Sequence, residues 1–217
     1  MAIKNNYSRN VDQTYFFGNH IPKGRFFGDI TAPEIIKLSK KYLGKKILDI
    51  GSGSGALIDL LPKNTIGLDL IPGHPKVIEG SIDKMPFNDN KFDTVFCIEV
   101  LEHLDEAVLR NGLKEIFRVL DKNGKFILTV PFDEDLKMFT VTCPNCGNQF
   151  HRIGHLRSFD KITVEDLLSS LGFRINVIKI IPIGIISRYP LIKHLLFFFN
   201  RLIPSSSKNI FAIASKA

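Results

Sequence analysis

Ile47-Leu48-Asp49-Ile50-Gly51-Ser52-Gly53-Ser54-Gly55 is the stretch that decides the fold. Its first four residues read as a buried strand. The three glycines read as a turn opening onto a helix, because glycine takes backbone angles closed to other residues and lets main chain approach a ligand closely. Outward from this stretch, short apolar runs alternate with helical patterns from about residue 31 onward. Such alternation predicts a doubly wound, mainly parallel α/β sheet with helices on both faces. We read strands at about 46–50, 65–69, 76–79, 93–98 and 124–130, and helices at about 32–43, 55–61, 105–120 and 163–171. Gly124 supplies a turn before its strand, and Gly172 stands where a helix would end. Two late runs, Phe173 to Ile181 and Ile210 to Ala214, predict an antiparallel hairpin with a long inserted loop.

A Gly51-x-Gly53-x-x-Ala56 pattern suits a dinucleotide as well as other adenosine cofactors. Asp49 discriminates. A carboxylate at the strand end repels a pyrophosphate, whereas it attracts the ammonium and sulfonium charges of S-adenosylmethionine. Asp69 ends the next strand in Ile66-Gly67-Leu68-Asp69, where an acid accepts hydrogen bonds from ribose hydroxyls in either cofactor class.

On these residues the chain resembles the class I S-adenosylmethionine-dependent methyltransferases, a Rossmann-like family whose first motif is matched by LDIGSGSG and whose acidic second strand is matched by GLDL. Gly80-Ser81-Ile82-Asp83-Lys84-Met85-Pro86-Phe87, followed by Phe92-Asp93-Thr94-Val95, is similar to the family's adenine loop and fourth strand. The resemblance covers roughly residues 44 to 180. It implies cofactor contacts from Asp49, Gly51, Gly53, Gly55, Asp69, Ser81 and Ile82. Ser81 replaces the aspartate that family members commonly carry, which leaves a hydroxyl, the backbone N–H and apolar side chain of Ile82 and the nearby Asp83 for the adenine.

Methyl transfer is an in-line displacement on an activated sulfonium, so alignment can supply much of the acceleration, and a base helps only where the acceptor must lose a proton. Glu99, Glu102 and His103 stand at i, i+3 and i+4 just after the fourth strand, which is one face if that stretch is helical. Ligands of open α/β sheets bind at this edge. We take His103 as the first candidate base, with Glu99 as the second. The run EVLEHL is similar to one in the ubiquinone-pathway O-methyltransferases, and that resemblance implies a divalent cation at Glu99, Glu102 and His103. The alternative is that Glu102 and His103 orient the helix and the cofactor loop.

Cys143-Pro144-Asn145-Cys146-Gly147 with His151 and His155 gives CxxC-x4-H-x3-H, four ligands of the kind that hold tetrahedral zinc, over the segment 140–160. His155-Leu156-Arg157-Ser158-Phe159 also resembles an HLRxF segment found in this methyltransferase group without cysteines, which gives His155 a second reading as a structural or substrate-side residue. The alternative for Cys143 and Cys146 is a pair of reduced thiols in a surface loop.

The 217 residues, 44% of them hydrophobic, suit one domain with a sizeable core. Lysine and arginine exceed the acids by 29 to 22, but apart from Lys40, Lys41, Lys45 and Lys46 the basic residues are scattered. No specific nucleic-acid partner follows, and the (Asn/Asp)-Pro-Pro-(Tyr/Phe) turn of nucleic-acid amino-methylation is replaced here by Cys97-Ile98-Glu99-Val100. Residues 1–30, rich in aromatic pairs such as Phe16-Phe17, suggest a lid over the site, the alternative being an arm packed against the domain with no substrate contact. Met1 to Asn10 has no apolar signal core, so a cytoplasmic location is expected. Within the insertion 182–208, Pro190 to Ile203 is too apolar for a solvated helix and too interrupted to span a membrane. It reads first as a cap or core segment and second as a peripheral membrane contact.

The leading functional expectation is methyl transfer from S-adenosylmethionine to a small, apolar or aromatic acceptor. The alternatives are a noncatalytic cofactor-binding or zinc-held interaction protein, and an NAD-dependent oxidoreductase.

Overall fold

The computed structural model describes residues 27–189, 191, 204 and 207–217. A seven-stranded sheet forms its centre, built from β1 (Ile47–Ile50), β2 (Ile66–Asp69), β3 (Val77–Glu79), β4 (Phe92–Ile98), β5 (Leu120–Pro131), β8 (Phe173–Ile181) and β9 (Asn209–Lys216). The strand order is β3-β2-β1-β4-β5-β9-β8. β1 through β5 pair in parallel, while β9 runs antiparallel to both β5 and β8. The expected doubly wound sheet with a late hairpin is therefore present. The order reverses between β1 and β4, and that switch point is where an open α/β sheet leaves a crevice for ligand.

Both faces of the sheet are covered. Alternate residues of β5, Phe126, Leu128 and Val130, join one core with Leu48, Ile50, Ile210 and Ala212, while Ile127 joins Ile47, Phe96, Phe211 and Ile213 on the other side. The central strands β1 and β9 are apolar nearly throughout because neither of their faces meets water, whereas the edge strand β8 exposes Arg174, Asn176 and Lys179. Helix α3 (Glu106–Val119) lays Leu109, Gly112, Leu113, Ile116 and Val119 on the first core at helical spacing. Its start is fixed by Asp105, whose side chain accepts the Val108 N–H at 2.9 Å. Asp160 caps α4 (Lys161–Ser170) in the same way, accepting from Thr163 N at 2.6 Å.

On the second core lie α1 (Phe27–Ser39), the short α2 (Ala56–Leu60) and α5 (Ile183–Arg188). Ile183 and Ile186, at the start of the hydrophobic insertion, pack with Ala32 and Ile35 of α1. The expected arm over residues 1–30 lies largely outside the described residues, as does the apolar run 190–203 with the membrane contact expected of it. Among the described residues, no helix is long and apolar enough to cross a membrane.

Two features differ from the sequence expectation. β5 begins at Leu120, not at Gly124, because Leu120 already pairs with Phe92 before a register shift resets the ladder at Thr94 and Lys125. The segment 140–160 folds into a small hairpin of β6 (Thr140–Thr142) and β7 (Gln149–His151), a second sheet that the periodicity did not reveal.

Candidate functional site

The turn after β1 carries the feature that most constrains any ligand. Gly51, Gly53 and Gly55 all have positive φ, at 69°, 47° and 81°. At Gly51 the space is also closed, because an added Cβ would lie 2.3 Å from Val100 Cγ2. Val100 follows β4, so the edge of β4 is locked against the turn while Gly51 itself stays exposed on its open side. A side chain there would fill the cradle; bare backbone leaves it open to an adenosine cofactor.

Two carboxylates flank this turn. The Asp69 Oδ2 accepts the Gly53 N–H at 2.8 Å and its Oδ1 accepts the Ile71 N–H at 2.9 Å. Asp69 thus ties the β2 edge to the glycine turn while each oxygen keeps a second lone pair for a hydroxyl. Asp49 is 3% exposed, and burial, followed by the charge of Asp69, pushes it up to about 8. A cation beside Asp49 would relieve that penalty, and a pyrophosphate would deepen it. The donor set therefore fits S-adenosylmethionine.

Next to Asp69, Leu70 and Ile71 are unusually exposed for large apolar side chains, at 43% and 36%. An adenine ring packed there would cover them. The sequence carried this signal in two apolar residues directly after the acidic strand end, and the motif reading passed over it. On the opposite side of the expected adenine position, the Ser81 hydroxyl donates a short hydrogen bond to Asp83. An acid thus stands beside the serine. The expected apolar contact from Ile82 is corrected, because its side chain is buried in the core and would meet a Cβ at Gly112 within 2.9 Å. Only the Ile82 backbone remains for the cofactor.

Sequence reasoning also missed the clamp on this loop. Arg118 of α3 donates to the carbonyls of Phe87 at 2.6 Å and Met85 at 3.2 Å, while Glu115 accepts the Met85 N–H at 2.8 Å. Arg118 also pairs with Asp89 and Glu115.

Residues 99–103 do not form the single helical face expected of them. Glu99 is left-handed at φ 55°, Val100 is non-helical, and only Leu101–His103 makes a tight 3-10 turn. Such a φ is costly at a non-glycine residue and is typical of functional edges. Glu99 Oε2 accepts from Asn209 Nδ2 at 3.0 Å, and burial pushes Glu99 up to about 7. His103 turns elsewhere. Its Nδ1 lies 3.2 Å from the Gly154 carbonyl, its ring is edge-on to His155, and burial, followed by His155, lowers it to about 3. His103 is thus held neutral and is a poor proton acceptor near pH 7, which corrects its ranking as first candidate base in favour of Glu99.

The ligands read as a zinc set also separate. Cys143 and Cys146 sit in the exposed turn of the β6–β7 hairpin, closed by a Gly147 N–H donated to the Cys143 carbonyl at 2.9 Å. His151 and His155 instead point inward, only 5% and 8% exposed, with the Glu134 carboxylate facing both. The hairpin is the reason: its two thiols occupy the tip, whereas His151 ends β7 at the base. Arg157 explains the rest of the HLRxF run, donating to the Leu104 carbonyl at 2.8 Å and to Glu106 at 2.8 Å, with Phe159 buried below it.

With the geometry in place, known proteins agree with it. A methyltransferase-domain family profile matches residues 48–128. An uncharacterised protein of Methanocaldococcus jannaschii is 33% identical over 185 residues, covering 79% of this chain and 80% of that protein. The mitochondrial ubiquinone biosynthesis O-methyltransferase of Schizosaccharomyces pombe is 28% identical over 160 residues, 63% of this chain and 56% of that enzyme. The chain belongs to the class I S-adenosylmethionine-dependent methyltransferases. Its methyltransferase fold matches a Burkholderia thailandensis 1,6-didemethyltoxoflavin-N1-methyltransferase solved with its acceptor and S-adenosylhomocysteine. That likeness has a TM-score of 0.63 over 94% of this chain and 84% of the other, at 13% identity, and speaks to fold alone. The chain spans four-fifths of the Methanocaldococcus protein but little more than half of the ubiquinone-pathway enzyme.

Proposed function

We propose that this methyltransferase acts on a small acceptor, apolar or aromatic, through an oxygen, nitrogen or carbon nucleophile. The observation that carries the reading is the glycine turn locked by Val100 and flanked by Asp49 and Asp69, since it fits the cofactor and places the β4 edge, with Glu99, beside it. An oxygen nucleophile is favoured by the name of the relative from Schizosaccharomyces pombe, a ubiquinone biosynthesis O-methyltransferase.

When bound, S-adenosylmethionine supplies an activated methyl group that the acceptor takes in an in-line displacement, with S-adenosylhomocysteine left behind. The chain's own residues hold and align the partners. Asp49 answers positive charge, Asp69 receives hydroxyl hydrogen bonds, and the bare Gly51 backbone permits close approach. Where the acceptor is a hydroxyl, Glu99 takes its proton, because a carboxyl raised to about 7 is matched to that task near neutral pH. Methylation is tested by following S-adenosylhomocysteine release with a panel of catechols, hydroquinones and aromatic amines. Release with at least one ring acceptor, reduced by Glu99→Gln for the hydroxyl substrates alone, supports the reading. Cofactor binding without turnover of any acceptor would favour the noncatalytic alternative.

A further inference from the structure

The β6–β7 hairpin carries two cysteines that neither the cofactor turn nor Glu99 uses. Its root is firmly tied. Phe132 bridges Phe159, the Asp133 N–H donates to the Phe159 carbonyl at 2.8 Å, and the Arg152 N–H donates to the Phe139 carbonyl at 2.7 Å. The tip is closed by two bonds, from the Cys143 N–H to the Asn148 carbonyl at 2.8 Å and from the Gly147 N–H to the Cys143 carbonyl at 2.9 Å. Gly147 makes the turn with φ 72°, and a Cβ there would meet nothing within 4 Å.

Within this turn the backbone N–H groups of Cys146 and Asn145 are directed at the Cys143 sulfur, and the Cys146 thiol lies beside it. Amides aimed at a sulfur favour the thiolate, which is the form that binds metal. Residues Pro144 to Gln149 are exposed throughout, so the pair of sulfurs stands at a tip surrounded by solvent.

Two thiolates are half of a tetrahedral site. The chain holds one further cysteine, Cys97, and it lies in β4 at 0% exposure. His151 and His155 face Glu134 beneath the hairpin, away from the tip. A second copy of the chain, related by a two-fold axis through the tip, supplies the same two thiols again, and such symmetric pairs are the commonest assemblies of soluble chains. The hairpin also leaves apolar side chains uncovered. Val141 and Phe150 are cross-strand partners and only half-buried, while Met138 and Ile153, which flank the Phe139–Arg152 bond, are 73% and 41% exposed. Apolar side chains gathered on one exposed element mark a contact surface.

We propose that Cys143 and Cys146 form one half of a tetrahedral zinc site, completed by the same two cysteines of a second copy, so that zinc joins two chains tip to tip. Each thiol gives its proton to solvent as its sulfur binds, and no sulfur changes oxidation state. Four thiolates select zinc over magnesium and calcium, which take oxygen ligands. The pairing does not depend on methyl transfer, and its test reads metal and mass.

The full chain, held reduced and stripped with a chelator, is titrated with zinc against a chromophoric competitor while its mass is followed by light scattering. Zinc should double the mass. Uptake should exceed that of the C143S/C146S chain by about half an equivalent per chain, since one four-coordinate ion serves two copies. Cobalt in place of zinc should give a thiolate-to-metal charge-transfer band in the unmodified chain and none in C143S/C146S, which should stay monomeric with zinc present. Both substitutions lie in the exposed tip, and circular dichroism checks that the variant folds. A mass unmoved by zinc, a doubling that survives C143S/C146S, a full equivalent of thiol-dependent zinc on a single chain, or a cobalt spectrum without the thiolate band would overturn the pairing.

Discussion

Val100 closes over Gly51 so tightly that a Cβ at position 51 would sit 2.3 Å from Val100 Cγ2, and the glycine adds a φ of 69° that no side chain accepts comfortably. Gly51→Ala therefore meets two penalties. Thermal unfolding should show a loss of about 2–3 kcal/mol, with cofactor affinity falling at least tenfold. Adding Val100→Ala should restore part of the stability, since it removes the clash and leaves the backbone strain. Full recovery in the double variant would show that the left-handed backbone plays no part.

Asp69 joins the glycine turn to β2 through the Gly53 N–H and stands ready for hydroxyls. Asp69→Asn keeps the size and loses the charge. Charge-assisted hydrogen bonds are worth about 1.5–3 kcal/mol, so S-adenosylhomocysteine should bind about 10- to 100-fold more weakly by calorimetry. Affinity that stays the same would remove Asp69 from the cofactor site.

Asp49 makes stability and binding depend on pH in opposite directions. Its pKa rises on folding from 3.8 to about 8, so the native chain keeps a proton that the unfolded chain releases. That contribution to stability is fully present below pH 3.8 and is lost as pH rises toward 8. Cofactor binding wants the ionised form and should strengthen over the upper part of the same window. Asp49→Asn should flatten the stability profile of the cofactor-free chain and remove its share of the pH dependence of S-adenosylhomocysteine affinity. Identical pH profiles for the variant and the parent would contradict the assignment.

Arg118 holds the 85–89 loop by bonding two of its carbonyls. Arg118→Ala should cost about 1–2 kcal/mol in denaturant unfolding and loosen the adenine side of the site, seen as faster amide exchange at Met85 and Asp89. Arg118→Lys should recover little, because a point charge cannot reach both carbonyls and both acids together.

Much of this was legible in order along the chain. The alternation of apolar strands with amphipathic helices gave the sheet because both of its faces are buried, and β1, β2 and β4 fall within a residue of expectation. Gly51, Gly53 and Asp69 were readable because backbone constraint and charge are local properties. What failed was non-local. The spacing of Glu99, Glu102 and His103 promised a helix face, but Glu99 is left-handed and Val100 must turn to meet Gly51. Cys143, Cys146, His151 and His155 had a metal-binding spacing, yet the hairpin carries the thiols outward while the imidazoles are drawn toward Glu134 and Glu102. Glu134 and Arg118 showed no motif at all. Their partners lie some 21 and 31 positions away, His155 for one and Phe87 for the other.

Calorimetric titration of the full chain with S-adenosylhomocysteine, alongside NAD, tests the central claim most directly. The account predicts one S-adenosylhomocysteine site per chain, weakened by Asp69→Asn, and no heat from NAD. Saturable NAD binding with no response to S-adenosylhomocysteine or S-adenosylmethionine would contradict it.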